Sequence, residues 1–425
     1  MNTAIRRAIA AAALGLGTLS VAAQPIDFED GNPFISRFGP RSVTSHLRID
    51  IVPESFTNPN QIRVFNPWSI GRGRFVLPLI GRTATAQPRR DRVEGRVELS
   101  PQSWATRYEV LDGFPYEAEF AEFNVVNGRV AGNLGLEIRV PMRIAETKLD
   151  EPRARAVEWP KEWPEEAASS LVTQFGVDLG QRDKTAVQNL VKNWTGGQPP
   201  TNVKPYELAK YFFSRVVREY QPTGIIMGAV QRPQPFDLGN GINNIRTPRT
   251  FNGFFRQGFP VQGAAQTIRS RNGSELDIAG LYAATLRAVG IPARIVIGLR
   301  MPGSNFDTIE QVSNGVRGTA IGMMVEFYLY DENTKQGGWI PTDPFLRREG
   351  FGNGEHPINQ PWQFFGTHDD ADFFVPFAHH LHPPLEVLTY GLPGTWGFTL
   401  APAIPANATQ NIIFDAYESV VTIDD

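Results

Sequence analysis

The chemistry open to this chain is bounded first by a residue it lacks. None of its 425 residues is cysteine, which removes disulfides, cysteine-ligated zinc, iron-sulfur clusters and every thiol nucleophile. Histidine occurs six times, as His46, His356, His368, His379, His380 and His382. Four of these share a short tail segment with Asp369, Asp370 and Asp372, a donor set that can hold a divalent metal, and His380 and His382 share a face if the chain there is extended. The spacing matches no metal motif, and packing of the tail histidines against Phe373, Phe374, Phe377 and the nearby prolines is the simpler expectation. No metal and no cofactor is therefore assigned. Carboxylates remain. Ser274, Glu275 and Asp277 have the order of a capping box at a helix start, where a first-turn acid complements the helix dipole, each contact worth about 0.5–1 kcal/mol.

Such side chains act only where regular elements hold them. Leu276 to Val289 is rich in Ala and Leu and predicts a helix, ended by Gly290-Ile291-Pro292. Alternating Ile295, Ile297 and Leu299 predict a strand. Two more strands are expected at Gly322 to Tyr330 and Trp339 to Thr342, joined by a polar turn. Alternation puts Gly322, Met324 and Glu326 on one face, so Glu326 either looks into the same cleft as the helix start or forms an ion pair, with Arg294 or Arg300 as partner. Trp339 is either a core residue or a stacking platform for a ligand.

Upstream, apolar residues recur with period two: Leu47, Ile49 and Ile51; Val93, Val97 and Leu99; Leu136, Ile138 and Val140. This predicts a β-sandwich over residues 24–150, with a hairpin turn at Asn127-Gly128 and a linker from Glu151 to Pro160. Pro164 with Glu165 and Glu166 marks a helix first turn. Leu208, Phe212 and Val216 mark an amphipathic helix. Gly224 to Phe259 reads as a long loop over a cleft, and residues 351–425 as a Pro- and aromatic-rich extension packing on the core.

Two blocks then resemble the transglutaminase-like core of bacterial secreted proteins: Gly273-Ser274-Glu275-Leu276-Asp277-Ile278-Ala279 with Leu286-Arg287-Ala288-Val289-Gly290-Ile291-Pro292-Ala293-Arg294, and Val325-Glu326-Phe327-Tyr328 with Gly337-Gly338-Trp339-Ile340-Pro341-Thr342-Asp343-Pro344. The resemblance implies a papain-like α+β domain over residues 160–350, behind the antiparallel sandwich. It also implies a Cys-His-Asp site, a thiolate favoured at a helix N-terminus beside an imidazole held by a carboxylate. In register, Glu275 stands at the Cys position, Gly322 at the His position, and Asp343 keeps its place. Thiol acyl transfer cannot be inherited. Glu275 is then either a simple first-turn acid or a cleft carboxylate that with Glu326 and Asp343 forms a glycosidase-like group, the helix dipole favouring Glu275 as base or nucleophile and leaving Glu326 as acid.

Charge excludes other classes. Lys and Arg number 41 against 44 Asp and Glu, and the nearest basic cluster, Pro88-Arg89-Arg90-Asp91-Arg92, is interrupted by an acid, so nucleic-acid binding is not expected. Residues 1–23 carry Arg6-Arg7, an apolar run from Ala8 to Leu19 and Val21-Ala22-Ala23, the pattern of a secretory signal peptide cleaved before Gln24. No later stretch is long and apolar enough to span a bilayer. The expectation is a periplasmic or secreted bacterial protein that binds a peptide, protein or glycan of the envelope in the former active-site cleft. The alternatives are a carboxylate hydrolase using Glu275, Glu326 and Asp343, and a metal-dependent hydrolase using the tail histidines.

Overall fold

The computed structural model describes residues 28, 31–56, 63–65, 68–99, 102–104, 108–130, 132–172, 180–222, 262–300, 320–354, 356–369, 371–379, 387, 389–390, 395–402 and 408–418. The leader, the 224–259 segment, His380 and His382 lie outside the described residues.

The longer strands of the N-terminal region are β1 (Ile35–Phe56), β2 (Trp68–Leu79), β3 (Glu94–Leu99), β4 (Tyr108–Leu111), β5 (Glu119–Val130) and β6 (Leu134–Leu149). They form two antiparallel sheets, one with β1, β6 and β3 as neighbours and one with β2, β5 and β4. Leu47, Ile49, Ile51, Val97, Leu99, Leu136, Ile138 and Val140 all turn into one hydrophobic cluster that both sheets share. No hairpin forms at Asn127-Gly128. Strand β5 runs through both residues, with Ile70 opposite Gly128 and Arg72 opposite Val126. The left-handed backbone that asparagine tolerates is used inside a strand, Asn127 having φ 54°.

The expected linker is a short helix, α1 (Glu151–Ala156), started by Asp150, whose side chain accepts from the Arg153 N–H. Glu151 is buried. Its Oε1 accepts from Lys210 Nζ at 2.6 Å, Arg155 Nη2 at 2.7 Å and Tyr206 Oη at 2.9 Å. A buried carboxylate needs this number of donors to offset the loss of water, so the junction is fixed by charge. Helices α2 (Glu165–Ala168), α3 (Gly180–Trp194), α4 (Pro205–Glu219) and α5 (Ala264–Ser270) follow. Leu208, Phe212 and Val216 of α4 point into the core.

Helix α6 (Glu275–Ala288) is buried on all sides from Leu276 to Arg287, as its near-continuous apolar sequence requires. It packs on β7 (Ala293–Arg300) and β8 (Ala320–Asp331), with β9 (Gln336–Thr342) as the next strand. Gly290, at φ 88°, turns the chain from α6 into β7. Asp343 caps α7 (Pro344–Phe351). The C-terminal segment is shared between the layers. Strand β10 (Phe374–Ala378) pairs with β7, β11 (Gly397–Ala401) with β2, and β12 (Ala408–Glu418) with β1 from Val43↔Glu418 to Pro53↔Ala408. Both sandwich sheets are therefore extended by strands from beyond residue 351. The molecule is α+β.

Candidate functional site

The start of α6 is built by the capping box. Ser274 Oγ accepts the Asp277 N–H at 3.1 Å, and Asp277 Oδ2 accepts the Ser274 N–H at 3.1 Å. Asp277 Oδ1 reaches back to the Gln262 N–H at 2.9 Å. Glu275 follows Ser274 in the first turn, takes no part in the capping box, and is partly buried.

Across from the helix start, β7 and β8 pair with Gly298 opposite Gly322 and Arg300 opposite Ala320. The space beside Gly322 is filled by Arg300. A Cβ built on Gly322 would overlap Arg300 Nε and lie 2.7 and 2.9 Å from its Cγ and Cδ. The guanidinium extends past the glycine to Asp343, with Nη2 2.7 Å from Oδ2. This is an ion pair by distance without the alignment of a hydrogen bond, since Oδ2 has no hydrogen-bond partner among the described residues. Asp343 Oδ1 is held by the N–H groups of Phe345 and Leu346 at 3.0 and 2.9 Å. The sequence offers Arg300 only as a partner for Glu326; Gly322, where a side chain would collide with Arg300, is the signal that points to it.

Electrostatics separate the members of this Glu-Arg-Asp group. Burial pushes the Glu275 carboxyl up to about 7, with Arg300 opposing and Asp343 reinforcing the rise, while the Met323 N–H pulls it back. Its Oε2 is shielded from solvent and has no hydrogen-bond partner among the described residues. This overturns the expectation that the helix dipole holds Glu275 low. The dipole contributes about 0.3–1 kcal/mol at an exposed helix end, less than one pKa unit, and desolvation is the larger effect here. Burial lowers the Arg300 pKa, but attraction to Asp343 and Glu275 outweighs it and leaves it raised. Arg300 therefore stays a cation.

Glu326 does not join the group. It lies four residues beyond Gly322 on β8, about 13 Å along an extended strand, and is fully buried against the sandwich. Its Oε2 accepts from Arg294 Nε at 2.8 Å and its Oε1 from the Ala84 N–H at 2.7 Å. Arg294 in turn donates to Glu117 Oε2 at 2.8 Å, the Arg82 carbonyl at 2.8 Å and the Tyr116 carbonyl at 3.1 Å. The face of Trp339 is covered by the same guanidinium at 4.0 Å, and its Nε1 donates to Glu117. Neither Glu326 nor Trp339 is free to act on a ligand in the Glu275 cleft. Strand alternation put Glu326 on the correct face, but the sandwich covers that end of it.

One tail histidine does come back to the site. His368 is buried, its backbone bonded to Thr147 of β6 and its Nε2 3.0 Å from the Pro341 carbonyl. Burial holds its imidazole down at about 4, against the pull of Asp343, so it is neutral at pH 7. His379 packs against β7, with Nδ1 3.4 Å from the Ile295 carbonyl. Among the described residues no three His, Asp or Glu side chains form a group that could hold a metal ion, and no helix is long and apolar enough to cross a membrane.

Residues 252–344 match the family profile of the transglutaminase-like superfamily core. No curated protein matches the chain. Solved structures similar to it include a candidate cysteine protease from Cytophaga hutchinsonii, at 13% identity over 92% of this chain and 94% of that one, with a TM-score of 0.46. The periplasmic domain of TgpA from Pseudomonas aeruginosa, bound to ethylmercury, matches at 13% identity over 71% and 89%, with a TM-score of 0.25. A candidate protease from Parabacteroides distasonis matches at 11% identity over 77% and 68%, with a TM-score of 0.24. Residues 252–344 of this chain are transglutaminase-like, and the chain has no cysteine.

Proposed function

We propose that this chain is an exported protein whose transglutaminase-like cleft binds a peptide or glycan of the cell envelope, with Glu275 and Arg300 as the recognition pair. The observation that carries this reading is Arg300 lying against Gly322 and pairing with Asp343. A guanidinium stays protonated at every physiological pH, so it cannot take a proton from a nucleophile as a histidine does. What the site offers instead is a cation and a half-protonated carboxyl with one oxygen unpaired, groups suited to hold a carboxylate, amide or hydroxyl. Export rests on the leader pattern of residues 1–23.

A second reading is a carboxylate-dependent hydrolase, and the observation favouring it is the Glu275 carboxyl near 7, suited to a general acid at neutral pH. Such an enzyme needs a second carboxylate. With Glu326 engaged elsewhere, that role falls to Asp343, which is already committed to two backbone N–H groups and Arg300. The binding reading is therefore preferred.

The test is a thermal-shift screen of the purified chain against envelope peptides and oligosaccharides, wild type beside Glu275→Gln, with product analysis of each hit. Intact ligands bound by wild type, and bound more weakly by Arg300→Ala, are the expected result. A ligand cleaved by wild type and only bound by Glu275→Gln would establish the hydrolase instead.

A further inference from the structure

A large cavity lies away from Glu275. It opens between the sandwich and the core, has a volume of about 1360 Å³, and is lined from both sides, by Arg143 and Gln87 of the sandwich and by Lys335 and the β9 residues Gln336, Gly337, Gly338 and Trp339. Ordinary small-molecule sites span about 300–1,000 Å³, so this one has room for a stretch of polymer. Its floor is the Arg294 guanidinium stacked on Trp339, six residues from Arg300 along β7 and hence about 20 Å from the first site.

Two features of the wall point to one class of ligand. The first is backbone. Strand β9 is the edge of its sheet. Trp339 lies opposite Tyr328, but the Tyr328 N–H donates to Pro292 on the far side of β8, so this is a non-hydrogen-bonded pair and the Trp339 N–H and C=O point out of the sheet. Pro341 has the same parity, and its carbonyl accepts the Gly366 N–H at 2.7 Å. By the same alternation the Gly337 N–H and C=O face outward. The Trp339 carbonyl is taken by Asn32 Nδ2 at 2.9 Å; the Trp339 N–H and both Gly337 groups have no partner among the described residues. An edge ends where β9 is closed by Phe365 and Gly366, so a strand added here cannot run on to Asp343.

The second feature is charge. Arg89 is paired with Asp91, Arg90 with Glu119, and Arg294 with Glu117 and Glu326. Arg143 and Lys335 have no carboxylate partner among the described residues, while the acid Glu166 accepts the Tyr328 hydroxyl. The wall as a whole has six cations, Arg82 included, against four acids.

We infer that this cavity is a second binding site that takes an extended acidic peptide as an added strand on β9, with Arg143 and Lys335 receiving its carboxylates. N–H and C=O groups repeating at strand spacing along a sheet edge match the backbone of an extended peptide. The site is separate from the Glu275 cleft and stands whether or not that cleft binds or cleaves anything.

The probe is a short blocked peptide alternating glutamate and valine, titrated calorimetrically into the full chain. Saturable binding is expected, weakened about tenfold or more by Arg143→Glu with Lys335→Glu and by raised salt. N-methylation of the amides on one edge of the peptide should abolish binding, and methylation of the alternate amides should be tolerated. Lys335→Ser, at an exposed turn residue, gives a smaller loss in the same direction and serves if the double reversal fails to fold. Binding unchanged by reversal or by either methylation pattern, equal binding of a lysine-valine peptide, tighter binding of an oligouronate, or no binding at all would each overturn the proposal.

Discussion

Strand β7 carries two arginines on one face, and the two ends of that face have opposite characters. At one end Arg294 is enclosed and fully engaged: two carboxylates and two carbonyls accept from it, and an indole covers it. At the other end Arg300 has one misaligned carboxylate and a 3.4 Å contact to the Met323 carbonyl, beside a Glu275 oxygen with no partner. Buried polar groups that are fully satisfied specify structure, while those left partly unsatisfied keep an interaction in reserve for something else. The first end joins two layers of the molecule, and the second is the end at which we propose that a ligand binds.

That contrast breaks most readily at the satisfied end. Arg294→Ala leaves Glu326 buried and unpaired and is expected to cost about 3–5 kcal/mol in urea unfolding. The same truncation at Arg300 should cost distinctly less. Equal losses at the two sites would erase the distinction between a structural and a functional arginine.

The space argument at Gly322 is sharpened by a double-mutant cycle. Gly322→Ala pushes a methyl group into the Arg300 side chain and is expected to cost about 1–3 kcal/mol. In an Arg300→Ala background the penalty should nearly vanish. An undiminished penalty would mean that something other than Arg300 fills the space beside Gly322.

A third effect is read as a slope. A Glu275 pKa raised from 4.5 to about 7 in the folded state means that only the folded chain keeps this proton between those values. Its contribution to stability is fully present below about 4.5 and is lost as pH rises toward 7. Glu275→Gln should remove this segment of the pH profile, so the variant gains on wild type from pH 5 to pH 8. Parallel profiles across that window would place Glu275 in water.

Legibility in the sequence follows the range of the interaction. The capping box of Ser274 and Asp277, the stop at Gly290 and the alternation of β7 to β9 are set by residues within a few positions of one another, and these elements stand where the pattern puts them. Asn127-Gly128 shows the limit even there, because the same φ preference serves a turn or a strand irregularity, and the pairing with β2 decides which. The segments least legible were those whose partners are distant: α1, held by Lys210, and the strands from beyond residue 351 that pair with β1 and β2. The site divides in the same way. Asp343 and Glu275 could be located from motif spacing, whereas the exclusion of Glu326 depends on Ala84 of the sandwich and on Arg294, which Glu117 of the sandwich also holds.

What the sequence by itself determined is therefore negative chemistry and local form. A chain without cysteine has no thiol nucleophile. Only the tertiary structure decided which arginine meets which carboxylate, and whether Glu275 is dry enough to hold a proton at neutral pH. Pairing and desolvation are properties of what surrounds a group from every side, and for these groups most of that surrounding comes from residues far away in the chain.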